Sequence, residues 1–319
     1  MRKIVVLDGY AGNPGDLSWS GLQQLAPCDI WDHTAPELVV PRCQGAEMVL
    51  TNKVALRADV IEQLPDLRYI GVMATGFNII DNEVARQRGI TVTNVPAYST
   101  MSVAQLVIAH LLNITDHVQH YTQQAHDGVW SHCGDFSYMD VPIVEVADKL
   151  MGIVGLGQIG SAVARIAQAL GMRVMAVTSK PQEQLPAGVM KAQSLDDMLR
   201  QADVVTLHCP LTPENRRMIN AERLALMKPS AILINTARGA LIDDEAVGDA
   251  LNAGRLAAYA TDVMDPEPPA DDNPLITARN SFFTPHIGWA SYDARVRLMD
   301  VITSNAAAYL AGKPVNVVN

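Results

Sequence analysis

Short apolar runs alternate along this chain with stretches in which apolar residues recur every three or four positions. KIVVLD (3–8), CDIW (28–31), MVL (48–50), RYIGVMA (68–74) and ITVTN (90–94) predict strands. Between them, Trp19–Leu25, Arg57–Leu64 and Asn82–Arg88 have the spacing and polar faces of amphipathic helices. Such strand–helix alternation implies a parallel sheet covered by helices.

Pro96 breaks the pattern, and Ser99 or Thr100 is placed to cap the helix that follows. In that helix Val103, Leu106, Val107, Leu111 and Ile114 recur at helical spacing, which predicts a long connector into a second α/β unit beginning near Lys149. The second unit runs through GIVGLG (152–157), RVMAVTS (173–179), VVTLH (204–208), AILINTA (231–237), LAAYATDV (256–263) and FFT (282–284). Ser194 and Asp243 suit helix caps, and Gly254 suits a helix end. Residues 291–310 predict a last amphipathic helix, stopped by Gly312 and Pro314.

Composition sharpens this picture. A chain of 319 residues, 49% hydrophobic and 18% charged, suits two domains with large cores. A net charge of −10 argues against nucleic acid or an anionic membrane as partner. The longest apolar run, Leu106 to Ile114, is broken by His110 and Asn113, so no membrane span is expected. Arg2 and Lys3 precede only four apolar residues, which is not a signal peptide. Cys28, Cys43, Cys133 and Cys209 stand far apart, as expected for reduced, buried thiols in a cytoplasmic protein.

Chemistry enters with GLGQIG. Gly155, Gly157 and Gly160, with Gln158 and Ile159 between them, stand in G-x-G-x-x-G spacing between a strand and the helical SAVARIAQAL. The glycines fit a tight turn, close backbone approach to a pyrophosphate and close helix–strand packing. The helix N-terminus behind them offers N–H groups to phosphates. About twenty residues on, an NAD site of this kind has a carboxylate for the ribose; here Thr178 stands instead. That strand end does not repel a 2′-phosphate, and Ser179 and Lys180 supply a hydroxyl and a positive charge. NADP(H) is therefore the expected cofactor, with NAD(H) the alternative if TSK is only a polar strand end.

Three later strands end in side chains suited to hydride transfer. NTARG (235–239) presents Arg238, TDVMDPEP (261–268) presents Asp262 and Glu267, and TPHIGW (284–289) presents His286. In a doubly wound sheet that edge binds ligands. Reduction of a 2-oxo acid needs a cation for the carboxylate and carbonyl, which arginine supplies bidentately. It also needs a proton donor such as histidine, kept charged and oriented by a carboxylate. Each residue alone has a plainer account: Arg238 in a surface ion pair, Glu267 solvated among prolines, His286 as a cap. His117, His120, His126, His132 and Cys133 cluster elsewhere, but their spacings fit no usual zinc pattern, so a solvated helix face is expected and no metal.

Together these motifs resemble the D-2-hydroxyacid dehydrogenase family over essentially the whole chain. NVPAYSTMSVAQ (94–105) and TNK (51–53) look most like its glycerate dehydrogenase or hydroxypyruvate reductase branch. The resemblance implies an α/β protein of two domains. Residues 1–99 and 287–319 would form a discontinuous, flavodoxin-like substrate domain; residues 100–286 would form a Rossmann-type cofactor domain on a doubly wound parallel sheet. It implies that Arg238 binds substrate, Glu267 supports His286, and His286 is the proton donor. Thr75 and Gly76 would bind the substrate carboxylate through backbone N–H groups, with Lys53 assisting. His208, Cys209, Pro210, Thr236, Ala237 and Asp262 would line the cofactor pocket. The substrate would be a small 2-oxo acid such as hydroxypyruvate or glyoxylate, and the enzyme a homodimer. A nucleotide-sensing scaffold like the family's corepressors is the alternative, and the absence of a long C-terminal tail argues against it.

Overall fold

The first five apolar runs form strands β1 (Ile4–Val6), β2 (Cys28–Ile30), β3 (Met48–Thr51), β4 (Tyr69–Val72) and β5 (Thr91–Thr93) in the computed structural model, which describes residues 2–319. They pair in parallel in the order β2-β1-β3-β4-β5, the flavodoxin-like order. Side chains alternate across each strand, so the sheet has two apolar faces. Ile4 and Val6 pack with Ala294, Leu298 and Ile302 of the helix Tyr292–Leu310. Val5 and Leu7 pack on the other face with Ile61, Leu64 and Ile80. Residues near the end of the chain complete the sheet edge: Thr93 bridges to Val317, and the Val318 N–H donates to the Val92 carbonyl.

A second parallel sheet contains β6 (Leu150–Val154), β7 (Arg173–Val177), β8 (Val189–Lys191), β9 (Val204–Leu207), β10 (Ile232–Asn235), β11 (Ala258–Thr261) and β12 (Ser281–Phe283). Its order is β12-β11-β10-β9-β6-β7-β8, so the chain reverses direction across the sheet at β6 and β9. That is the doubly wound Rossmann arrangement. The helices Thr100–Asp116 and Gln158–Ala169 cover one face, where Ala104, Val107 and Leu111 meet Met151, Ile153 and Ile234. Met198, Leu199, Val247 and Leu251 cover the other, against Val205, Leu207 and Leu233.

Local signals act where the pattern placed them. The Ser194 hydroxyl accepts the Asp197 N–H, the Asp243 carboxylate accepts the Ala246 N–H, and Gly254 follows a helix at φ +66°. Strand β8 was not among the predicted strands; it lies at the sheet edge and buries only Val189 of its three residues.

The chain forms two compact units, one made of the residues up to Ser99 with Trp289–Asn319, the other of Thr100–Gly288. Among the described residues no helix is long and apolar enough to cross a membrane.

Candidate active site

After β6 the chain turns through Gly155 at φ +94°, a conformation that strains any L side chain. A Cβ there would lie 2.7 Å from the Cys209 nitrogen and 2.8 Å from the His208 carbonyl carbon. The ends of β6 and β9 therefore meet at the topological switch point, where sheets of this kind bind ligands. Gly160 is held as tightly, its Cβ position 2.2 Å from the Gly155 carbonyl oxygen. Gly157 differs: nothing lies within 4 Å of its Cβ position, and it leaves the helix Gln158–Ala169 without a side-chain cap. Open space before an uncapped helix N-terminus suits a pyrophosphate.

Around this loop, Lys180 Nζ donates to the Leu156 carbonyl at 2.9 Å, and the Lys180 N–H donates to Thr178 Oγ1 at 3.3 Å. Ser179 beside them is exposed. Thr236, just past β10, has a buried hydroxyl with no hydrogen-bond partner, and the Ala237 N–H donates to Asn235 Oδ1. His208 Nε2 lies 2.9 Å from Thr206 Oγ1, and burial draws the pKa of this imidazole down to about 3. Burial raises the Cys209 thiol pKa, and Asn215 Nδ2 donates to the Pro210 carbonyl at 2.8 Å. The open glycine turn and the orphaned Thr236 hydroxyl fit a nicotinamide dinucleotide.

Arg238, Glu267 and His286 follow β10, β11 and β12. Arg238 is exposed, and the next residue shows what fixes its strand end. A Cβ on Gly239 would lie 2.2 Å from the Met264 carbonyl carbon, so this turn rests directly on the backbone leading to Glu267. Glu267 Oε2 lies 2.7 Å from His286 Nδ1, and its Oε1 accepts the Met264 N–H at 3.1 Å. With Nδ1 engaged, Nε2 is the nitrogen left to move a proton. His286 occupies the left-handed region at φ +54°, which non-glycine residues seldom adopt. Asp262, 3% exposed, holds the turn around it. Its Oδ1 accepts from Thr284 Oγ1 at 2.6 Å and the Ile287 N–H at 2.8 Å, and its Oδ2 accepts the Gly288 N–H at 2.7 Å.

In the other unit, Lys53 is exposed, and its N–H donates to Asp8, a buried carboxylate that also receives the Asn52 and Val54 N–H groups. Lys53 borders a cavity of about 630 Å³ at the ends of β1, β2 and β3, with Tyr10 and His33. Thr75 follows β4, its hydroxyl donates to the Val95 carbonyl and its own carbonyl accepts from Asn94 Nδ2, with Gly76 next in the same turn. In the histidine cluster, His120 pairs with Asp140 at 2.9 Å, and His132 Nδ1 lies 2.7 Å from the Gly128 carbonyl. Among the described residues no group of three or more His, Cys, Asp or Glu is arranged to hold a metal ion.

The family model for the D-isomer-specific 2-hydroxyacid dehydrogenase NAD-binding domain matches residues 108–288. The chain belongs to that family. It is 46% identical, over 99% of both chains, to a hydroxypyruvate reductase of Blautia hydrogenotrophica. Over 89% of its length it is 43% identical to a glycerate dehydrogenase of Methylorubrum extorquens, covering 88% of that protein. Among solved structures, a Thermus thermophilus protein superposes with a TM-score of 0.87 at 35% identity, over 99% of this chain and 100% of that one. An NADPH-dependent glyoxylate/hydroxypyruvate reductase of Sinorhizobium meliloti does so with a TM-score of 0.84 at 25% identity, over 100% and 98%. This D-2-hydroxyacid dehydrogenase is thus a nicotinamide-dependent oxidoreductase, and the scaffold alternative finds no support among these relatives.

Two residues beside this dehydrogenase's His286 turn carry no role in the sequence reading: Thr284, and His110 on the helix Thr100–Asp116. The available signal for His110 was a polar residue on the apolar stripe of Val103, Val107 and Ile114.

Proposed function

We propose that this enzyme interconverts hydroxypyruvate and D-glycerate, accepts glyoxylate, and uses NADP(H) in preference to NAD(H). The 2.7 Å pairing of His286 Nδ1 with Glu267 Oε2 carries the reading. Held that way, His286 gives the proton on Nε2 to the substrate carbonyl oxygen, and Glu267 stabilises the imidazolium before transfer. Arg238 binds the substrate carboxylate and draws electron density from the carbonyl. When bound, the nicotinamide supplies the hydride to C2, and the reverse direction returns both. Gly155, Gly157, Gln158, Ile159 and Gly160 hold the pyrophosphate; His208, Cys209, Pro210, Thr236, Ala237 and Asp262 line the rest of the cofactor pocket. In the first unit, Thr75 and Gly76 are the proposed carboxylate-binding turn, and Lys53 an added positive charge.

Preference for the 2′-phosphate is supported by the missing strand-end carboxylate and by Lys180, whose ammonium already rests on the glycine loop. A homodimer built on the second unit is supported by apolar side chains exposed there, including Phe136 at 92% and Met139 at 77%. The test is a panel of 2-oxo acids assayed with NADH and NADPH, using the wild type and His286→Ala. Hydroxypyruvate should give the highest kcat/KM, with NADPH favoured. His286→Ala should lose at least about a hundredfold in kcat while still binding cofactor. Unchanged turnover in that variant would remove His286 as the acid.

A further inference from the structure

One polar side chain outside the site just described is buried against it. His110 is 7% exposed, and its Nε2 lies 3.3 Å from Thr284 Oγ1. That hydroxyl donates its single proton to Asp262 Oδ1, so toward His110 it can only accept. His110 therefore carries its proton on Nε2. Burial favours this neutral form and lowers the His110 pKa, against the opposing charge of Asp262. The donors run in one direction, from His110 through Thr284 to Asp262.

The same carboxylate takes the N–H groups of Ile287 and Gly288, and the Thr284 carbonyl accepts the His286 N–H at 2.9 Å. His286 is thus pinned two residues before and one and two residues after. A Cβ on Gly288 would lie 2.9 Å from Asp262 Oδ2, so the backbone sits close against the carboxylate. These anchors hold the turn in which His286 adopts the left-handed conformation.

We propose that His110 is a positioning residue for the proton-transfer step: by donating to Thr284 it fixes the Thr284–Asp262 hydrogen bond that holds the His286 turn. The inference rests on the reading of His286 as proton donor. Removing the His110 donor frees the Thr284 hydroxyl to rotate, which deprives Asp262 of a partner and loosens the turn. His110 acts through Thr284 and Asp262 on the His286 turn, so the main effect falls on kcat; because Asp262 also lines the proposed cofactor pocket, a smaller loss of cofactor affinity accompanies it.

The test compares His110→Ala, His110→Gln and Thr284→Val with the wild type, by steady-state kinetics and by amide exchange at Ile287 and Gly288. Glutamine keeps an N–H donor near the Nε2 position, and valine keeps the threonine shape without the hydroxyl. His110→Ala and Thr284→Val should lower kcat about tenfold, by more than they raise cofactor Kd, and both amides should exchange faster. His110→Gln should recover most of the kcat and the protection. Equal kcat losses in His110→Ala and His110→Gln, or unchanged amide protection in His110→Ala and Thr284→Val, overturn the proposal. If the wild type reduces no 2-oxo acid, the reading of His286 fails by itself. The exchange data then still decide the link, with faster exchange supporting it and unchanged exchange refuting it.

Discussion

His208 follows β9 with its imidazole half-buried, and desolvation holds its pKa down to about 3, so the ring stays neutral where an exposed histidine would be charged. An unfolded chain protonates the same residue below about pH 6.5. Between those values the unfolded state holds more protons, so stability falls as pH falls and is unaffected above the window. His110, also lowered by burial, acts in the same direction. From pH 6 to 5, urea unfolding should show His208 contributing about 1 kcal/mol of lost stability, which His208→Gln removes because glutamine does not titrate. Parallel slopes for the two proteins would exclude His208 as the source. At this scale the sequence was legible where chemistry dictates a residue type and silent where a partner is distant. Arg238, Glu267 and His286 announce themselves at strand ends, and the glycines by their spacing. Nothing in TDVMDPEP says that three donors of residues 284–288 would converge on Asp262, and nothing near His110 points to Thr284, 174 residues away.

Strands and helices were legible to a different degree. Parallel strands buried on both faces read as continuous apolar runs, and eleven of the twelve strands overlap such runs, with β3, β6 and β12 extending one or two residues beyond them. Several runs overreach because the residues past the strand end, Asp8, Thr178 or Thr236 among them, belong to loops. β8 escaped because an edge strand with one buried residue has no periodicity to show. Contacts between elements are harder to read: Gly239, the last residue of NTARG, lets the turn after β10 rest on the backbone at Met264, before Glu267. Gly239→Ala forces a methyl to within 2.2 Å of the Met264 carbonyl carbon, and backbone cannot give way as a flexible side chain can. The substitution should cost about 1–3 kcal/mol by overpacking. It should also lower kcat at least about tenfold by shifting Arg238 relative to Glu267. Cofactor binding, most of which rests on the separate glycine loop, should weaken by less than kcat falls in a fluorescence titration. Wild-type kcat in Gly239→Ala would show that the two strand ends need not be held so closely.

For the whole molecule, the exposed apolar residues of 118–144 predict association. Light scattering should give about twice the 34.5 kDa chain mass, and Phe136→Glu with Met139→Glu should return the protein to a monomer. A monomeric wild type would refute the dimer. The family was legible from end to end because its motifs lie at fixed points of the sheet edge, whereas side-chain selectivity toward one 2-oxo acid leaves no such motif. The path of the chain has its own consequence for synthesis. All five strands of the first sheet have been synthesised once Thr93 is made, yet the helix Tyr292–Leu310 and the edge contact of Val317 follow only after Thr100–Gly288. On the ribosome the oldest part of the nascent chain therefore waits, with the Ile4–Val6 face uncovered, while the part made later completes itself first. The start of this protein is the last of it to be finished, and its bare strands are where a chaperone would be needed.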